Sequence, residues 1–174
     1  DALVGRVVSA LGTPIDGKRV LGSRHAMVVP ERPSSIVIVG AGAIGVEFAY
    51  FFNSFGTEVT LVEMLPRIVP LEDDEVGDAL KKSFGKQGIR VHTGAKVTKT
   101  QVSDKDVTVV IEAEGAKPET VKADLLLSAI GVQPLLPEGL KLDLTERGYI
   151  RTDDRYQTSA KTVFAAGDII GPPW

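Results

Sequence analysis

The sequence predicts an α/β fold, a βαβ parallel sheet in which an antiparallel β-meander replaces one helical crossover. Three observations predict it. Two short β-branched runs, Ser35–Val39 and Glu58–Val62, flank a stretch whose apolar residues recur at helical spacing. Alternation of strand and helix implies parallel strands joined by crossovers. Beyond His92 the pattern changes to two alternating segments separated by turn residues, the mark of antiparallel hairpins.

Composition bounds the rest. The chain has 174 residues, 43% hydrophobic, with a formal net charge of −3 and no cysteine. That length suffices for one domain with a full core. Without cysteine there is no disulfide framework, thiolate metal site or cysteine nucleophile. The slightly acidic balance argues against nucleic-acid binding. No run approaches ~18 apolar residues, so no membrane span is expected, and no secretory leader is visible. The absence of cysteine fits a reducing compartment. The start at Asp1 without Met and the end at Pro172-Pro173-Trp174 suggest a piece of a longer protein.

The elements follow in order. Residues 1–34 are mixed, with an apolar run from Val4 to Leu11 and a connector bracketed by Pro30 and Pro33. Prolines exclude a helix interior or central strand there, so this stretch reads as a linker. Ser35–Val39 shows no alternation, which indicates a strand buried on both faces. Ile44, Phe48, Phe51, Phe52 and Phe55 then mark a helix, stopped by Gly56. Glu58–Val62 is the second strand, and Pro66 and Pro70 mark a loop. Asp73 and Asp74 place negative charge at the start of a second helix. Val76, Ala79, Leu80 and Phe84 give that helix an apolar side, and Gly88 ends it. Ile89–His92 is a third strand.

Lys96–Val102 and Asp106–Glu112 alternate around the turn Ser103-Asp104-Lys105, and Glu119–Lys122 supplies a third meander strand. Asp124–Ala129 is apolar again and should rejoin the parallel sheet. Tyr149–Thr152 and Thr162–Ala166 are further strand candidates.

Gly40-Ala41-Gly42-Ala43-Ile44-Gly45 connects the first strand to the first helix, and Glu63 ends the second strand 63 − 40 = 23 positions after Gly40. This is the context of a Rossmann-like dinucleotide loop. Gly40 permits the tight turn, Gly42 lets a pyrophosphate approach the backbone, and Gly45 lets helix and sheet pack closely. A mere packing turn is the alternative. Amides and dipole at the helix N-terminus favour the anion by ~0.3–1 kcal/mol, and up to ~2 when partly buried. A carboxylate at Glu63 can accept both ribose hydroxyls, each charge-assisted bond contributing roughly 1.5–3 kcal/mol. A 2′-phosphate beside it would cost ~4 kcal/mol at about 4 Å and a dielectric near 20. The expectation is NAD(H) over NADP(H). Arg67 is close in sequence and reads as a solvated charge.

The run IVIVGAGAIGVEFAYFFNSFGTEVTLVE resembles the NAD-binding domain of the dihydrolipoamide dehydrogenases, within the flavoprotein disulfide reductases. IDGKRVLGSRHAM, PLEDDEVGDAL, LLLSAIGVQP and YQTSAKTVFAAGDI occur in the order that family has them, so the resemblance runs from about Pro14 to Asp168. It implies that Gly40, Ala41, Gly42, Ala43, Ile44, Gly45, Val46 and Glu47 form the NAD loop and first helical turn. Glu47 would approach the nicotinamide–flavin junction, Val97 the adenine, and Gly131 the nicotinamide half. Asp168 in VFAAGD would contact the ribityl chain of FAD. On their own, Glu47 reads as a solvated helix residue, Val97 as strand core, Gly131 as a turn, and Gly167-Asp168 as a turn dipeptide.

The resemblance further implies an outgoing FAD-domain segment and linker over 1–34, an NAD-binding domain over 35–148, and a returning FAD-domain segment over 149–174. The parent enzyme would oxidise dihydrolipoamide through a disulfide and FAD and pass hydride to NAD⁺. Its partners would be the rest of the flavoenzyme chain and the components of a 2-oxo-acid dehydrogenase complex. Its setting would be bacterial cytoplasm or, alternatively, a mitochondrial matrix. The redox cysteines, the N-terminal FAD glycine loop and the C-terminal interface domain with its catalytic His and Glu have no counterpart here. His25 (read as solvated) and His92 (at a strand end) do not match that histidine, so no catalytic residue and no metal ligand is assigned. Gly5–Lys18 also resembles a segment of the rotary ATP synthase alpha subunit, but no GxxxxGK[ST] loop follows. The rival readings are another flavoprotein disulfide reductase, an NADH oxidase, or a non-catalytic NAD(H)-sensing module.

Overall fold

The computed structural model describes residues 15–131 and 134–172. Two compact units divide the chain, the first ending at Gly131 and the second starting at 132. The run Val4–Leu11 lies outside the described residues.

The first unit holds β1 (Val20–Leu21), α1 (Ser23–Ala26), β2 (Ser35–Val39), α2 (Ala43–Ser54), β3 (Glu58–Val62), α3 (Asp74–Lys86), β4 (Arg90–His92), β5 (Ala95–Val102), β6 (Val107–Ala113), β7 (Glu119–Ala123) and β8 (Leu125–Ser128). Five strands form a parallel sheet in the order β1-β8-β2-β3-β4. The other three form the antiparallel meander β5-β6-β7. The chain leaves β2 toward β3 and β4, then returns through the meander to place β8 on the other side of β2.

Both faces of the parallel sheet are covered, which is why its strands show no alternation. Ile36, Ile38, Leu61 and Leu127 pack in one core with Ala49 and Phe52 of α2 and Phe84 of α3. Val37, Val39, Val62 and Leu126 pack in a second core with Val97, Val107, Val109 and Ile111 of the meander. The meander does on one face what crossover helices do on the other.

Several expectations are corrected. The sequence reading assigns no strand before residue 35, whereas Val20 and Leu21 of β1 pair with Leu126 and Leu127 of β8 at the edge of the parallel sheet. Asp16 launches this strand by accepting the amides of Lys18, Arg19 and Val20 at 2.8–2.9 Å. On α2 the buried residues are Gly45, Val46, Ala49 and Phe52, whereas Phe51 and Phe55 are 50% and 64% exposed. Small residues let the helix backbone approach the sheet, so of the aromatic residues Phe52 and Phe48 pack inward while Phe51 and Phe55 turn outward. On α3, Val76 is exposed and Phe84 and Gly77 are buried.

In the second unit Tyr149–Thr152 and Thr162–Ala166 form no strands. Among the described residues of this unit only the isolated bridges Leu144–Ile150 and Gln157–Phe164 occur, because neither segment finds a continuous partner. A 3₁₀ turn spans Gly167–Ile170.

Candidate dinucleotide-binding site

A cleft of about 460 Å³ opens at the carboxyl ends of β2, β3 and β8. In parallel sheets this is where ligands bind, at the strand from which connections diverge in both directions. Gly40, Gly42, Glu63, Val97 and Gly131 all line it. Five residues that sequence reasoning placed by motif or resemblance therefore converge on one space.

Each glycine of the loop meets a different constraint. Gly40 adopts φ +100°, and a Cβ there would lie 2.6 Å from the Ala129 carbonyl oxygen. A Cβ on Gly45 would collide with the Gly40 carbonyl oxygen. At Gly42 a Cβ would meet nothing within 4 Å. Gly42 is thus bare for no packing reason, and the space beside it is open for a ligand to reach the backbone. It is the N-cap of α2, with no side chain capping the helix, and the first helical bond runs from Val46 N–H to Gly42 O at 3.1 Å. The amides of Ala43, Ile44 and Gly45 have no partner within the helix and suit an anion.

Glu63 is 8% exposed. Its Oε2 accepts the Ala41 amide at 2.7 Å and its Oε1 accepts the Leu65 amide at 2.8 Å. A carboxylate offers about four lone-pair sites, so each oxygen keeps one. The carboxylate is held rigidly at the cleft wall with acceptor capacity to spare. The residues present therefore fit a dinucleotide.

The remaining expected residues are distributed as follows. Ala41 is fully buried, and its amide is the one Glu63 holds. Ala43, Ile44, Gly45 and Val46 form the first turn of α2, and Glu47 follows on its exposed side. Val97 is 6% exposed and belongs to the second core as well as to the cleft wall. Gly131 has φ +88° and open space around a Cβ. Asp168 lies in the 3₁₀ turn of the second unit, exposed.

Met64, Leu65, Pro70, Lys96 and Ile130 also line the cleft and were not anticipated. The only signal for them is adjacency to predicted residues: Met64 follows Glu63, Lys96 precedes Val97, and Ile130 precedes Gly131. Arg67, read as solvated, is paired with Asp74 at the start of α3. His25 is exposed, yet its Nδ1 accepts the Gly22 amide at 3.2 Å. His92 Nε2 is buried without a hydrogen-bond partner, 3.9 Å from Glu119 Oε2. Among the described residues no group of His, Cys, Asp and Glu could hold a metal, and no helix is long and apolar enough to cross a membrane.

Fold and cleft together define a Rossmann-like α/β domain. The chain belongs to the pyridine nucleotide-disulphide oxidoreductase family, whose model matches residues 6–173. Dihydrolipoyl dehydrogenase of Chlorobaculum tepidum is 46% identical over 164 residues, covering 92% of this chain and 35% of its own. The Bacillus subtilis dihydrolipoyl dehydrogenase is 40% identical over 167 residues, covering 92% and 35%. Among solved structures, the flavoprotein disulfide reductase RclA of Escherichia coli, in a Cu(II) complex, matches with a TM-score of 0.75 and 33% identity. That match covers 88% of this chain and 35% of RclA. The water-forming NADH oxidase of Lactobacillus brevis, bound to NADH, matches with a TM-score of 0.71 and 27% identity over 89% and 35%. The chain thus spans about a third of the length of the relatives it matches.

Proposed function

We propose that the cleft binds NAD(H) and that this chain is the nucleotide-binding part of a dihydrolipoyl dehydrogenase. One observation carries the cofactor reading: Glu63 is fixed by two backbone amides at the cleft wall with acceptor sites left over. Those sites suit ribose hydroxyls and repel a 2′-phosphate. Gly42 and the free amides of the first turn of α2 receive the pyrophosphate, and Gly131 exposes backbone toward the nicotinamide half. When bound, the nicotinamide supplies the carbon that accepts or gives hydride. The part of this chain in that chemistry is to bind and orient, not to move protons.

The dihydrolipoyl dehydrogenase assignment rests on the two relatives of that name reported above. It brings the 2-oxo-acid dehydrogenase complex components as partners, a bacterial cytoplasmic setting, and FAD elsewhere in the parent enzyme. Asp168 would be this chain's contribution to FAD. A second reading, an NADH oxidase with the same nucleotide domain, is favoured by the likeness to the Lactobacillus brevis enzyme.

Calorimetric titration of the 174-residue chain with NADH and NADPH tests the cofactor reading. Tighter binding of NADH is expected, and equal or tighter NADPH binding overturns it. The chain should carry no stoichiometric FAD, and a one-to-one flavin absorption band would overturn that expectation. Assaying the full-length protein for dihydrolipoamide oxidation against NADH-driven oxygen reduction separates the two enzymes.

A further inference from the structure

We infer that Asp74 is a positioning residue for cofactor choice: by pairing with the Arg67 guanidinium it disfavours use of Arg67 by a 2′-phosphate at the Glu63 end of the cleft. This deepens the NAD(H) reading and rests on it.

The loop that carries Arg67 is pinned along its length. Leu65 N–H donates to Glu63, and Leu65 O accepts the Gly94 amide at 2.8 Å. Ile68 is 1% exposed, and its carbonyl oxygen lies 2.9 Å from where a Cβ of Gly77 would be. Val69 takes φ +44°, a conformation unusual for a β-branched residue, and its amide donates to the Ala41 carbonyl at 2.7 Å. The glycine loop therefore grips this loop from the other side. Arg67 cannot be moved by the backbone, so its partner decides where its charge rests.

Leu65 and Pro70 line both the dinucleotide cleft and a neighbouring cavity of about 270 Å³. Arg67, Asp73 and Asp74 stand in the wall of that second cavity. The two cavities thus adjoin across Leu65 and Pro70, and Arg67, in the wall of the second, is paired with Asp74. A guanidinium fork is well suited to phosphate. Lys96 lines the wall of the dinucleotide cleft directly. With Arg67 engaged by Asp74, Glu63 dominates the charge at the ribose end. Both members of the pair are substantially exposed, so the restraint is modest.

The test is binding of NADH and NADPH to Asp74→Asn, Asp74→Glu and the double variant Asp74→Asn with Arg67→Gln, at low ionic strength. For Asp74→Asn, NADPH affinity should rise by about three- to ten-fold while NADH stays within about two-fold. Asp74→Glu should behave as the parent, and the double variant should lose the gain. Unchanged NADPH affinity in a folded Asp74→Asn, or a gain that persists without Arg67, overturns the inference. If Asp74→Asn does not fold, Asp74→Ser removes the charge while keeping a residue suited to a helix start, and the same outcomes decide. NADH binding without any NADPH gain sinks the role of Asp74 alone. Failure of the parent to bind either nucleotide sinks the cleft reading and this inference with it.

Discussion

The Glu63 carboxylate accepts the Ala41 amide at 2.7 Å, tying the end of β3 to the glycine loop 22 residues earlier. Its other oxygen holds Leu65, the first turn of the loop beyond. One side chain therefore fixes both walls of the cleft before any ligand arrives. Glu63→Gln preserves the shape but replaces one acceptor oxygen with an NH₂ donor, which then faces a backbone N–H. A buried amide left unsatisfied costs about 1–3 kcal/mol. The thermal midpoint should fall, and NADH affinity should fall by about ten-fold or more. Thermal melts and calorimetry check the two effects separately. An unchanged midpoint would show that the staple carries no stability, and unchanged affinity that Glu63 is no ligand.

The loop glycines should separate by experiment into packing and binding roles. Gly42 has ordinary negative φ and free space around a Cβ. Gly42→Ala should therefore fold with nearly parental stability, yet bind NADH about ten-fold or more weakly, because the methyl would intrude where the proposed ligand approaches the backbone. Gly45→Ala puts a methyl into the Gly40 carbonyl and should destabilise the fold by about 1–3 kcal/mol or more. Denaturant melts of both variants, alongside titration of Gly42→Ala, test the division. A Gly42→Ala that unfolds would assign that glycine to packing after all.

What the sequence discloses is burial and period, and the parallel sheet and meander follow from those. Ser35–Val39 reads correctly as a strand covered on both sides because only apolar residues suit two cores. Period alone does not say which side of a helix faces the sheet. That depends on how closely backbones approach, which Gly45 and Ala49 decide and the larger Phe51 and Phe55 do not. The cleft was legible wherever a motif named a residue, as at Gly40, Gly42 and Glu63. Pro70 comes from a loop that the fold brings to the cleft. The Arg67–Asp74 pair was invisible because it depends on how a loop closes. β1 is too short to show a pattern, and Tyr149–Thr152 has strand composition without a continuous strand beside it.

The split of the α2 aromatic residues between core and surface gives a direct check on that account. Phe52 is 4% exposed and packs with Ile38 and Leu61 in the first core, so Phe52→Ala should cost about 3–5 kcal/mol. Phe55 is largely exposed, and Phe55→Ser should change stability by about 0.5 kcal/mol or less. Urea unfolding of the two variants measures both. A large loss at Phe55 would mean that this residue carries stability despite its exposure.

Asp16 should make the fold acid-sensitive through β1. Its Oδ1 gathers the amides of Lys18, Arg19 and Val20 and so shapes the turn into the edge strand that pairs with β8. Burial raises its pKa, but the backbone hydrogen bonds outweigh that and hold the carboxyl below its ordinary 3.8. Asp106 is held low in the same direction, by Lys122 and then Ser103. With the folded value depressed, the unfolded chain binds more protons in acid. The contribution is therefore complete above the unfolded value and is lost as pH falls through the folded one. Asp16→Ala should be less stable than the parent at pH near 7, and the gap should narrow as the pH falls below the ordinary 3.8. Urea melts of both proteins across that range measure the gap. A gap that stays constant with pH would mean that Asp16 acts through its shape and not through its charge.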